Sequence, residues 1–103
     1  MKLYNIDRIP GAEIEALGLV RGAVVQSKHV GKDLMASFKT LVGGELKGYT
    51  EMLTEARQIA TKRMVDEAEA LGADAIVNVR YSSSSIMSGA AEVLAYGTAV
   101  KVK

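Results

Sequence analysis

Few residues in this chain have the chemistry that catalysis or metal binding demands. There is one histidine, His29, and no cysteine. Soft metals prefer thiolates, and imidazole suits zinc, copper or nickel, so a single chain supplies no ligand set of that kind. The same count excludes disulfides, zinc fingers, iron–sulfur clusters and thiol catalysis. His29 reads as a surface residue ahead of a helix. The densest carboxylate patch is "DEAE", Asp66 to Glu69. On a helix Asp66 and Glu69 share a face at i,i+3 while Glu67 points elsewhere, which is too sparse to cage a hard cation.

Hydroxyls are more abundant. The run Ser82–Ser85 could suggest a nucleophile, but a serine needs a base within hydrogen-bond reach and an oxyanion donor. No G-x-S-x-G elbow is present and His29 is far away in sequence, so the run is expected to be a solvated hairpin loop. Ile86 and Met87 in that loop are apolar, and apolar loop residues on a small domain tend to cover a neighbour. We therefore expect them at a subunit contact. Gly43–Gly44 lacks both the Lys-Ser/Thr ending of a P-loop and the G-x-G-x-x-G of a dinucleotide site. It is expected to be a tight turn between helices. Arg57 sits at the edge of a helical stripe, where partial burial would demand a carboxylate or several carbonyls as partners. Tyr49 and Tyr96 could stack a flat ligand, but with no Trp and one Phe they read as packing residues whose hydroxyls reach the core's edge. No residue is assigned to catalysis, to a cofactor or to a metal.

Composition sets further bounds. The 103 residues suit one domain, residues 1–103, and 49% hydrophobic against 24% charged residues rules out a disordered chain. Only 5% are aromatic and ten are Gly, so the core is built of small side chains, and association between subunits would thicken it. The net charge of +1, with 13 basic and 12 acidic residues spread along the chain, provides no basic stripe for nucleic acid. No window reaches the ~18 apolar residues of a membrane span, and the N-terminus has no signal-peptide core. A cytoplasmic protein is expected.

The elements that must position these residues follow from periodicity. Leu3, Tyr4 and Ile6 suggest a short strand ended by the turn at Pro10–Gly11. Leu17–Ser27 is β-rich, with Gly18 and Gly22 marking bends or close backbone approach. Leu34, Met35, Phe38, Leu41 and Val42 fall on one face of a short helix stopped by Gly43–Gly44. A longer stripe runs Tyr49, Met52, Leu53, Ala56, Ile59, Ala60, Met64, Ala68, Leu71, with Glu51, Glu55, Lys62, Asp66 and Glu69 opposite and Gly72 as the C-terminal cap. Then "AIVNVRYS" alternates, placing Ala75, Val77, Val79 and Tyr81 on one face. In "EVLAYGTAVKV" the alternating sets that start at Val93 and Leu94, after Glu92, are uncharged until Lys101, and a strand that buries both faces is central or lies at an interface. These patterns predict an α+β fold in two layers. A three-stranded antiparallel sheet, with Leu94–Val102 in the middle, packs against a long helix preceded by a short one.

The combination Gly43–Gly44, Tyr49, Ala56–Arg57, "LGADA" at Leu71–Ala75 and "GTAV" at Gly97–Val100 resembles the YbjQ family. These are uncharacterised proteins that also carry the label of a heavy-metal-binding domain, and the likeness runs from about Leu17 to Val102. The resemblance implies a dodecin-like subunit and a ring-shaped homopentamer. The family brings no established reaction, substrate or catalytic residue. In such a ring, five His29 side chains around an axis could hold a metal. The expectation is thus a non-enzymatic homo-oligomeric module, a pentamer whose partner is itself, with no nucleic acid and no membrane. The alternative is a small-ligand or metal-ion binding protein with sites between subunits.

Overall fold

The structure, a computed structural model, describes residues 1–27, 41–42 and 45–103. Helix α1 covers Lys47–Ala70. Met52, Ala56, Ala60, Met64 and Ala68 recur every fourth residue and are all buried, which draws one stripe along the helix. The helix ends as the glycine predicts. Gly72 has φ +77, its N–H donates to the Glu69 carbonyl at 2.9 Å, and the Ala73 N–H donates to the Ala68 carbonyl at 3.1 Å. This paired closure is the Schellman motif, which satisfies the carbonyls a helix leaves open.

Strands β1 (Lys2–Leu3), β2 (Ile14–Ser27), β5 (Ala75–Met87) and β6 (Ala90–Val102) form one sheet in the order β1-β5-β6-β2. The last strand is central, as its two apolar rows require. The sheet has four strands and is mixed, where three antiparallel strands were expected. The extra strand is the N-terminal segment, which pairs parallel to β5 through Lys2↔Ala75 and Leu3↔Ile76. Its continuation adds bonds from the Tyr4 N–H to the Ile76 carbonyl and from the Val79 N–H to the Tyr4 carbonyl, both 2.9 Å. Tyr4, Ile9 and Ile14 cover Ala75, Val77 and Val100. Leu3, Tyr4 and Ile6 were legible as strand-like residues, but two paired positions give periodicity nothing with which to choose a partner.

α1 lies across β2 and β6. Its small side chains meet Val20, Val24, Val93, Ala95 and Ala99. The approach is closest at Gly22, where a Cβ would stand 2.5 Å from the Met64 nitrogen and 2.7 Å from the Arg63 Cβ, and nearer still to the Ala60 carbonyl. The helix also serves the outer edge of β2. The Arg21 N–H donates to Glu67 Oε1 at 3.3 Å, and Arg63 Nη1 donates to the Ala23 carbonyl at 2.6 Å. Edge groups that would otherwise be left to solvent are paired in this way.

The hairpin corrects two expectations. The Ser82–Ser85 run is strand, not loop. Ser82 pairs with Leu94, Ser83 with Val93, Ser84 with Glu92 and Ser85 with Ala91. The connection is only Ser88–Gly89, with Gly89 at φ +79. A well-formed partner strand supplies the backbone bonds, so four consecutive serines extend despite their turn-like composition. The strict alternation expected of β5 also fails at Asn78, whose φ of 55 marks a bulge between Val77 and Arg80. One extra residue moves the following side chains to the other face, so Val77 lies under the N-terminal arm while Val79 joins Ile76 beneath α1.

The short helix expected over Leu34–Val42 falls mostly outside the described residues. Its last two residues, Leu41–Val42, form strand β3, paired with β4 (Glu45–Leu46) through Leu41↔Leu46 and Val42↔Glu45. An apolar run this short fits either period, and the antiparallel pairing decides for strand. Gly43–Gly44 and His29 also lie outside the described residues.

Candidate functional site: a groove between α1 and β5

Because α1 rests on β2 and β6, the helix-facing side of β5 beyond Arg80 has no helix lying across it among the described residues. The result is a groove of about 530 Å³ bounded by Thr54, Arg57, Gln58, Thr61, Lys62 and Tyr81. It continues into a recess of about 220 Å³ that shares Arg57 and Tyr81 and reaches Leu53, Ser83 and Val93. On α1 the wall comes from positions i, i+3, i+4, i+7 and i+8, a single face of the helix. Every one of these five residues carries a hydrogen-bond donor. On β5 the bulge at Asn78 turns Tyr81 towards the helix.

Hydrogen bonds fix the wall. Arg57 Nη2 donates to Thr54 Oγ1 at 3.2 Å. Thr61 Oγ1 donates to the Arg57 carbonyl at 2.7 Å, and the Thr61 and Tyr81 hydroxyls share a bond of 2.9 Å. The Tyr81 hydroxyl is thus tied to the helix although the residue is 47% exposed. Arg57, which its place at the edge of the stripe could have buried in part, is exposed, and among the described residues it forms no ion pair. A guanidinium has five N–H donors, so one contact with a threonine leaves most of its capacity open to the groove. Lys62 is different, since its Nζ pairs with Asp66 Oδ2 at 3.0 Å.

The remaining candidates are scattered. Asp66 is engaged by Lys62 and Glu67 by the β2 backbone, so the "DEAE" patch supports the helix. Among the described residues, no group of three or more His, Cys, Asp or Glu is placed to hold a metal ion. That donor set does not fit a soft metal, which wants thiolate or clustered imidazole. Tyr96 lies on the sheet face turned away from α1, opposite to Ala95 and Ala99 in the strand alternation, and Tyr49 lies in the first turns of α1. The fold therefore does not bring these two rings together around a ligand. Sequence reasoning missed the partnership of Thr61 and Tyr81. A signal did exist, in that the stripe Thr54, Arg57, Gln58, Thr61, Lys62 carries no acid on a helix otherwise rich in Glu and Asp.

Comparison with known proteins places this architecture. A family model described as "putative heavy-metal-binding" matches residues 1–103. The chain belongs to the YbjQ family. A UPF0145 protein of Thermosipho africanus is 66% identical over 104 residues, covering 100% of this chain and 96% of that protein. One from Clostridium novyi is 63% identical over 102 residues, covering 99% of both. A crystal structure of a protein of unknown function from Pediococcus pentosaceus, assigned to the DUF74 family, superposes with a TM-score of 0.67 over 100% of this chain and 98% of that one. At 14% identity that likeness speaks for the fold alone. None of these relatives' names carries an enzymatic activity. Among the described residues no helix is long and apolar enough to cross a membrane.

Proposed function

We propose that the protein is a non-enzymatic cytoplasmic module that works as a homo-oligomer, a pentameric ring of dodecin-like subunits. The observation that carries this reading is the sheet face turned away from α1. The N-terminal arm covers one end of it. Beside the arm, Leu19 lies across Thr98 from Val77 and is 62% exposed, and towards the hairpin Val25 is 59% exposed, with half-buried Leu94 and Tyr96 on the neighbouring strand and exposed Arg21 and Glu92 on the same face. Ile86 and Met87, 52% and 61% exposed, crown the far end of the hairpin. Exposed apolar groups gathered on one face invite a partner, and identical copies offer the same face, with its Arg21 and Glu92 charges, to one another. The shape supports the same reading. The radius of gyration is 16.8 Å, against about 13 Å for a compact chain of this length. From Arg80 onward β5 has no strand beyond it among the described residues, an open edge that a neighbouring copy can extend.

Light scattering on the purified chain tests this reading. A chain of 11.0 kDa should travel as a closed multiple of that mass, five copies for the ring, and a lone subunit at all concentrations removes the proposal.

A second reading is supported by the groove, namely a carrier of a small ligand or metal ion. The α1–β5 wall ends at the open edge of β5, where a neighbouring subunit can complete it. The donor inventory favours an organic ligand over a metal, because the groove wall has cationic and hydroxyl donors but no thiolate, imidazole or carboxylate among its described residues.

A further inference from the structure

The geometry points to the α1–β5 groove as a binding site for a small organic anion with a flat apolar body, such as an aromatic carboxylate. This inference rests on the small-ligand reading above and names the chemistry that the site selects. The polar side of the groove is made almost wholly of donors. Arg57 contributes a guanidinium that is exposed and free of any ion pair among the described residues. Gln58 adds an amide and Ser83 a hydroxyl. Among the described residues lining the groove and its recess there is no Asp or Glu, although Glu51 and Glu55 lie on the same helix, in a separate hollow beside β2. Among these residues a cationic ligand would find no counter-charge. An anion would find a planar fork suited to a carboxylate, in which both bonds are charge-assisted and stronger than neutral ones.

The apolar side sets the rest of the ligand. Leu53 and Val93 line the recess, and the Tyr81 ring borders both compartments. Its hydroxyl is spent on Thr61 at 2.9 Å, which leaves the ring face as a flat apolar wall. A bare inorganic anion would use Arg57 and leave this wall wet. An aromatic carboxylate would use both. The Thr54–Arg57–Thr61–Tyr81 chain of hydrogen bonds is in place before any ligand arrives, so little ordering entropy is lost on binding.

Ligand-observed NMR on the full chain, in the assembly state that light scattering finds for the same sample, tests the proposal with three probes: benzoate, its neutral isostere benzamide, and inorganic phosphate. Benzoate is expected to receive saturation from the protein, and to bind about tenfold more tightly than either of the others, because only it satisfies fork and wall together. Arg57→Gln should weaken benzoate by about tenfold and leave benzamide unchanged, with Arg57→Lys intermediate because it keeps charge and loses the fork. Should R57Q not fold, R57K against the parent carries the comparison. Benzamide binding as well as benzoate, with both lost in Tyr81→Ala, would overturn the anion inference while leaving the small-ligand reading intact. Benzoate bound equally by R57Q and the parent would remove the site from this groove. No response to any probe up to about 10 mM, a very weak affinity by any standard, would overturn the inference and the small-ligand reading together. The oligomer proposal is independent of all these outcomes, since the mass of the same sample decides it.

Discussion

Substituting Gly22 with alanine tests the seating of α1 on the sheet. Gly22 lies in β2 and its backbone is ordinary, so space alone is at issue. The added Cβ would stand 2.5 Å from the Met64 nitrogen and 2.7 Å from the Arg63 Cβ, and would press on the Ala60 carbonyl. Two of these three obstacles are helix backbone, which cannot rotate away. Ordinary carbon contacts lie near 3.5 Å, so the middle of α1 must retreat by roughly 1 Å. That retreat loosens Ala60 and Met64 from Val20 and Val24. Overpacking costs about 1–3 kcal/mol, and with rigid obstacles the upper figure applies. At about 4–8 °C per kcal/mol for a domain of this size, a loss near 3 kcal/mol lowers the melting temperature by at least about 12 °C. Circular dichroism melts at matched protein concentration measure this, with Glu15→Gln as the exposed control in the same strand. A Gly22→Ala melt within about 4 °C of the parent, less than 1 kcal/mol on the same scale, would show that α1 does not lie on β2 as described.

The same fold sets three further outcomes. Gly72→Ala should cost about 1 kcal/mol in thermal or urea unfolding, because φ +77 is strained for a side chain, and Gly72→Asn should cost less. Hydrogen exchange should show slow amides in Ser82–Ser85 at the positions bonded to β6, whereas a solvated loop would exchange at random-coil rates. The double substitution I86S/M87S should lower the assembled mass in light scattering while the far-ultraviolet dichroism of the subunit is kept, and an unchanged mass would take the hairpin tip out of the interface.

The long helix was legible because a four-residue spacing of apolar side chains over 24 residues has no competing interpretation, and Gly72 closes it by a local mechanism. The central place of β6 was legible for a similar reason, since two uncharged rows need cover on two sides. What failed was whatever rested on pairing. The serine run has turn composition, yet it extends because Ala91–Leu94 stands opposite with its backbone bonds to offer. Val79 changed faces because one residue, Asn78, adopts a positive φ, and no periodic count anticipates a bulge. Leu41–Val42 fitted a helical stripe until its antiparallel partner was visible. The groove was half legible. The residues of its helical wall could be read as an acid-free polar stripe, but Tyr81 entered only after the bulge turned it.

Since the chain has no cysteine, a single introduced thiol reports on one position alone. Leu19→Cys places it on the sheet face turned away from α1, at a residue 62% exposed in the single subunit, and Glu69→Cys places it on the exposed side of the helix. Thiol reactivity follows access, so if another copy covers the sheet, the thiol at position 19 is labelled by a maleimide at least about tenfold more slowly than the one at 69. Equal labelling rates in native buffer would mean that the apolar face stands open to water and that the subunit has no second copy against it.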